Sequence, residues 1–394
     1  MADRQLFVLT SMLIAIGILF SYSLSTYTVL LFGYNEFHYV LREAVFGFSS
    51  IIVIFLLAQL NPDKWLHVIG ISLFIGGAIL MITMPFMPNS LVSAVGGAKR
   101  WIKLFGFSLA PIEFFKIGFI YFLAWSFSRT MNVKHTMSLK DEFVLFAPYA
   151  FMFLGVMFLV AIMQNDLGQV VVLSLTLGFM LLLAGRSFKF FGSLLSVAVA
   201  FFLFFIFSAE HRILRIQSWW ASAQQSILVI FPDFIAEKLR VPMNEEAYQI
   251  GHSFNAINNG GLFGVGLANG TFKLGFLSEV HTDFVLAGIA EEFGFLGVLF
   301  VTLLFMAIIW RIFKIANRAE EEDVTIFLFS IGLGLLLSFA FLINAYGISG
   351  LTPIKGISVP FLSYGGSTIL ASSIGIGMVL MASKKVKFRH RAKK

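Results

Sequence analysis

Apolar runs close to the ~20 residues needed to cross a bilayer recur along almost the whole chain, and that recurrence leaves few folds open. They fall at about 6–31, 43–60, 66–87, 109–128, 145–163, 167–185, 189–208, 284–310, 324–345 and 367–383. In lipid every backbone N–H and C=O must be paired within the structure, so the runs are predicted to be helices. The expectation is an all-α polytopic membrane protein with ten transmembrane helices, a single domain over residues 1–394. Only 12% of residues are charged and 58% are hydrophobic, against roughly 25% charged in ordinary globular chains. A soluble enzyme is excluded. The first run is too long for a signal peptide and lacks a small-residue cleavage site. With no cysteine, disulfides, thiolate chemistry and Cys-held metals are excluded as well.

Loop charge sets the orientation. If the N-terminus is inside, the inner loops and the basic tail 384–394 collect most of the Lys and Arg, and the short outer segments hold Arg42, Lys99, Arg100, Lys103 and Lys355. Both ends are therefore expected to be cytoplasmic, and the longest loop, about 209–283 between spans seven and eight, extracytoplasmic. The net charge of +7 is spread over segments flanking apolar runs, which points to anionic lipid head groups and not to nucleic acid. Within the long loop, 211–240 mixes aliphatic and charged residues with Trp219 and Trp220, as in one or two helices lying on a membrane surface. Gly260, Gly261, Gly264, Gly266, Gly270 and Gly275 lack the dinucleotide spacing. They suit close backbone approach, re-entrant packing, or N–H groups turned toward an anion.

Asp283, in His281-Thr282-Asp283-Phe284, stands where this loop meets the eighth run. A carboxylate there can meet a lipid-borne substrate and still exchange protons with water. Glu291 lies eight residues deeper, ~12 Å at ~1.5 Å per residue, too far to share that proton. Glu291 and Glu292 are expected to pair with a cation such as Lys116. Glu113 and Lys116, three apart, share a helix face one turn into the fourth span, either as a structural salt bridge or with Lys116 lining an outer cavity. Lys99, Arg100 and Trp101 place cations on the side that loop charge disfavours, which suggests phosphate attraction; interfacial anchoring is the competing reading. In Gln164-Asn165-Asp166, Asp166 suits a cap for the sixth helix, and the amide-rich cluster equally suits sugar hydroxyls. The glycine- and proline-dense segment 347–367, carrying Lys355, must be buried or line a wet cavity. It is expected to face the same outer cavity.

Six separated segments resemble, in order, the signature segments of the SEDS proteins (shape, elongation, division and sporulation). They are GAKRWI (97–102), PIEFFK (111–116), QNDLG (164–168), YQIGHSFNAINNGGLFGVGL (248–267), HTDFVLAGIAEEFG (281–294) and GLTPIKGISVPFLSYGGS (350–367). The resemblance covers essentially the whole chain. The Pro-Ile-Lys-Gly around Lys355, the Lys99-Arg100 pair and the long outer loop look more like the division branch than the elongation branch. The chain departs from the family at Ile112, commonly Ser, and at Asn165 and Ser278, commonly Pro. None of these removes a charged group.

That resemblance implies a peptidoglycan glycosyltransferase polymerising lipid II, an undecaprenyl-pyrophosphate-linked disaccharide-pentapeptide, during septal wall synthesis, with a polymerase for elongation as the alternative. It implies Asp283 as the base, with Lys99, Arg100, Lys116, Lys273 and Lys355 around the pyrophosphate. Trp101, Glu113, Gln164, Asp166, Gln249, Ser253, His281, Glu291, Ser363 and Tyr364 are the further substrate-contacting positions it implies. No cofactor is expected beyond a divalent cation, Mg2+ or Mn2+, although three acids separated by helix are not a metal signature. The partners implied are a class B penicillin-binding transpeptidase on spans eight and nine and other divisome membrane proteins. The location implied is the bacterial inner membrane at the septum, with the site facing outward. A transporter flipping lipid II is the competing class, disfavoured because the polar apparatus gathers at one face and no inverted repeat of interrupted helices is visible. A scaffold that only activates a partner synthase is the third.

Overall fold

The computed structural model describes residues 3–392 apart from 96–97, 105–106, 131–137, 208–209, 229–230, 243–244, 278 and 354–355. The first apolar run divides at Ser25 into α1 (Arg4–Leu24), capped by the Asp3 side chain, and α2 (Thr26–Phe32). Then come α3 (His38–Gln59), α4 (Pro62–Thr83), α5 (Pro111–Thr130), α6 (Leu139–Met157), α7 (Leu167–Leu183) and α8 (Phe188–Phe207). The long loop holds α9 (Glu210–Leu228), α10 (Asp233–Leu239) and α11 (Glu245–Gly260), and the chain closes with α12 (Val285–Ala319), α13 (Val324–Ile348) and α14 (Gly366–Ala392). Seven of these, α1, α3, α4, α6, α12, α13 and α14, are long and apolar enough to cross a membrane. Among the others, α7 is a shorter apolar helix, and α5 carries Glu113 and Lys116.

Small residues set how closely the bundle packs. The axes of α4 and α5 approach at Gly77, where a Cβ would lie 2.8 Å from Phe115 Cβ, and at Gly118, where one would strike the backbone of Phe74. Without a hydrophobic drive between lipid-facing helices, such close contact supplies the attraction. The other intimate pair is α3 against α14.

Two elements differ from the sequence expectation. Between α4 and α5 lies an antiparallel meander, β1 (Val92–Val95), β2 (Ala98–Leu104) and β3 (Phe107–Leu109), so the fold is not purely helical. Ser367 on α14 ties this sheet down, accepting from Ala110 N at 2.9 Å and donating to Ser108 O at 3.2 Å. The second is α11, a regular helix in what reads as a polar loop start; α9 and α10 match the helices expected over 211–240.

The glycine-rich segment after α11 is threaded into a break in α12. Gly294 has φ 66° and ψ −166°, a backbone region essentially restricted to glycine. The groups freed there are paired: Val265 N donates to Glu291 O at 3.0 Å, Gly266 N to Glu292 O at 2.9 Å, Phe295 N to Gly261 O at 2.9 Å and Leu296 N to Leu262 O at 3.2 Å. A Cβ on Gly264 would strike the Glu292 carbonyl, so the expected close backbone approach is present. Irregular backbone inside a membrane protein survives on this condition, that its hydrogen bonds are made by protein.

The two ends of the bundle differ in chemistry. One carries the sheet, the start of α12, the end of α13 and the segment 356–365. The other carries ion pairs: Arg311 with Asp3, and Lys385 with Asp63 at 2.7 Å and Asp323 at 2.9 Å.

Candidate active site

Asp283 sits two residues before α12, in a turn where the N–H groups of Thr282 and Asp283 both donate to Glu279 O, at 3.0 and 3.1 Å. The turn rests on buried structure, since Val285 to Glu292 are all buried. Asn344 Nδ2 donates to Asp283 O and to Ile357 O, each at 2.7 Å. Ser363 Oγ donates to Thr282 O at 2.6 Å and Tyr364 N to His281 O at 2.8 Å. The segment 356–364 is thereby stitched along 281–283. Gly356, at φ +56°, lies so close that a Cβ there would be 3.2 Å from Asp283 Oδ2. Lys355 and Ser278 lie outside the described residues.

The Asp283 side chain is half-buried. Burial, then the negative charges of Glu279 and Asp166, push its carboxyl up to about 7 against the pull of Arg100. It can therefore take and release a proton near neutrality. His281 is buried, packed between Tyr39 and Tyr364 with ring centroids at 5.0 and 5.6 Å. Burial holds its pKa below the usual imidazole value, with Glu279 opposing, so the ring is neutral at pH 7.

Arg100, on β2, reaches across to the turn between α6 and α7, with Nε donating to Gln164 O at 2.6 Å and Nη2 to Asn165 O at 2.7 Å. Six residues of π-helix, Phe158–Met163, lead into that turn, and Asn165 adopts φ 50°. Asp166 caps α7 through Gln169 N at 3.2 Å. Burial raises its pKa, with that hydrogen bond, Arg100 and Lys116 opposing. Buried Gln164 keeps an Nε2 without a partner among the described residues. Lys116 pairs with Glu113 at 2.9 Å and donates to Gln169 Oε1 at 2.8 Å, while Gln169 Nε2 reaches Glu113 Oε1 at 3.3 Å. Lys99 spends two donors on the carbonyls of Pro85 and Met87, at 3.1 and 2.6 Å, holding the end of α4. Trp101 packs half-buried against the core.

Three expectations are corrected by a second, deeper network. Glu292 pairs with a cation as expected, but the cation is Lys273, at 2.6 Å, and not Lys116; Ser23 Oγ donates to Glu292 Oε1 at 2.5 Å. Lys273, expected at the pyrophosphate, has a side chain only 2% exposed and is taken up by this pair. Glu291, expected at substrate, is buried and accepts from Asn259 Nδ2, Thr271 N, Thr271 Oγ1 and Phe272 N at 2.7 to 3.2 Å. Both acids hold the threaded segment against the α12 break. Ser253 is likewise fully buried, donating to Ile348 O at 2.9 Å; Gln249 lies on the same helix, α11. Sequence reading passed over Asn344, Glu279 and Glu43. Glu43 is fully buried in α3 and accepts from Gly365 N at 3.3 Å. A polar residue inside an apolar run was the available signal for Asn344 and Glu43.

Residues 3–388 match the FtsW/RodA/SpoVE family of cell cycle proteins. The chain belongs to this family. Within it, the chain is 49% identical over 386 residues to a probable peptidoglycan glycosyltransferase FtsW of Helicobacter pylori, covering 98% of this chain and 99% of that one. A Haemophilus influenzae protein of the same description is 32% identical, over 96% of this chain and 89% of its own. Solved structures share the SEDS fold. One, described as "Structural coordination of polymerization and crosslinking by a peptidoglycan synthase complex", superposes with a TM-score of 0.71 at 21% identity, over 98% of each chain. The rod shape determining protein RodA of Thermus thermophilus superposes at 0.63 and 21% identity, over 98% of this chain and 97% of its own.

Proposed function

We propose that this SEDS chain is a peptidoglycan glycosyltransferase that polymerises lipid II during septal wall synthesis in cell division. The observation that carries the reading is the half-buried Asp283 carboxylate, held just before α12 by Asn344 and walled by Gly356, in a chain alike end to end to proteins described as FtsW glycosyltransferases. In the reaction the C4 hydroxyl of one sugar attacks the anomeric carbon of another. Its proton passes to Asp283, the bond from C1 to the phosphate oxygen breaks, and the lipid pyrophosphate leaves with the electron pair. Lys99, Arg100, Lys116 and Lys355 are the cations proposed to receive that charge, and Gln164, Asp166, His281 and Tyr364 to line the sugars.

A divalent cation, Mg2+ or Mn2+, is proposed to ride on the pyrophosphate oxygens of the substrate, which Mg2+ commonly takes as ligands. Among the described residues no group of three or more His, Asp or Glu converges on a metal site. Bound there, Mg2+ or Mn2+ would offset leaving-group charge.

The seven long apolar helices together with α5, α7 and α8 make the ten spans proposed. Loop charge supports both termini inside and the Asp283 end outside, in the inner membrane at the septum. A class B penicillin-binding transpeptidase is the proposed partner, docking on α12 and α13, with other divisome membrane proteins around it.

The test is labelled lipid II given to the purified chain, alone and with its transpeptidase. Glycan polymer is expected. Lipid II crossing the bilayer of a proteoliposome without polymer would replace this reading with the transporter, and neither polymer nor transfer would favour the scaffold.

A further inference from the structure

We infer that Asn344 is a positioning residue for the reaction, fixing where the Asp283 carboxylate points by binding the carbonyls of Asp283 and Ile357 at once. The inference rests on the proposed role of Asp283 and adds a residue that does not itself meet substrate. Asn344 lies near the end of α13, only 6% exposed, within the apolar stretch Phe341-Leu342-Ile343-Asn344-Ala345. An amide at that depth is costly unless it is used. Both of its hydrogens are: the two bonds are 2.7 Å each. Because both partners are carbonyl acceptors, the nitrogen must face them, which settles the amide orientation. Its Oδ1 has no partner among the described residues, so these two bonds are the side chain's work.

What they hold is specific. One fixes the backbone of the reacting residue itself. The other fixes the segment that presents Gly356 to Asp283 Oδ2, so a single amide sets both the carboxylate and the wall it lies against. The ties made by Ser363 to Thr282 O and by Tyr364 to His281 O act on the neighbouring peptides and leave the Asp283 carbonyl to Asn344. Freed from Asn344, the turn keeps its helix and its Glu279 hydrogen bonds, but the carboxylate can swing toward water. A misplacement of about 1 Å at a reacting group can cost about 10²-fold in rate.

The experiment compares lipid II polymerisation by the native chain, N344L and D283N, each purified with the transpeptidase partner, over pH 5.5 to 9. N344L is expected to lower kcat by about 10²-fold with KM for lipid II unchanged. It should also move the rising limb of the rate below the native midpoint, because a carboxylate that gains water ionises at lower pH. A general loss of folded protein would scale the rate at every pH and leave that midpoint in place. An unmoved midpoint, or a rate equal to native, overturns the inference. If N344L does not fold, N344Q, which keeps the donor but sets it one methylene further out, is expected to show the same shift and is overturned by the same outcomes. D283N separates the two readings: polymer at the native rate from D283N removes the role of Asp283, whereas an inactive D283N beside an unshifted N344L removes only that of Asn344.

Discussion

Replacing Asp283 by asparagine is expected to lower glycan synthesis from lipid II by about 10²- to 10⁴-fold, the range a positioned general base contributes. The substitution is nearly isosteric, so the asparagine fits the same space beside Gly356. The backbone ties to Asn344 and Glu279 run through main-chain atoms and are kept too. What is lost is the acceptor for the hydroxyl proton. The variant should therefore extract, bind its transpeptidase partner and unfold as the native chain does, while polymer vanishes on a gel of labelled product. A fall in folded yield that matches the fall in activity would mean that the acid serves structure instead.

The Lys273→Ala variant should be among the least stable single changes in this chain, losing about 3–5 kcal/mol, because it leaves a buried carboxylate without its counter-charge. Lys273 and Glu292 are 2% and 0% exposed and 2.6 Å apart. Glu292 already has one oxygen unpartnered among the described residues, so no spare donor waits nearby. The pair sits where the segment 261–266 threads into α12, and Ser23 draws α1 into the same cluster. Releasing it frees three elements together. Replacing both partners by apolar side chains, Lys273→Met with Glu292→Leu, should recover most of the loss, since the desolvation cost of both charges then disappears. Thermal unfolding in detergent reads both; a single variant as stable as native would contradict the buried-pair account.

How much of this is legible in the sequence depends on range. Local periodicity finds the helices, because lipid forces each apolar run to satisfy its own hydrogen bonds: the run at 167–185 becomes α7 over 167–183, and that at 324–345 becomes α13 over 324–348. Asp166 reads correctly as a cap because capping is a contact over three residues. Pairings beyond a helix's own turns do not read out, even the Lys273–Glu292 pair only 19 residues apart. Lys116 and Lys273 are both lone cations in or near apolar sequence, and nothing local says that Glu292 lies beside the second and not the first. The meander at 92–109 had a signal that went unused, Gly96-Gly97 between short runs of strand-forming residues. Asn344 shows the opposite limit. Its polarity in an apolar run marks it for attention, but only the fold shows that it meets Asp283.

The measurement that bears most directly on the account is the pH dependence of polymerisation by the native chain beside D283N. With the Asp283 carboxyl at about 7, the acid is protonated and idle below that pH and ionised and able to accept a proton above it. The native rate should climb through a midpoint of about 7 and level off by about one to two pH units higher, while the residual rate of D283N lacks that step. A native profile without a rise through that range, or the same rise persisting in D283N, would contradict it.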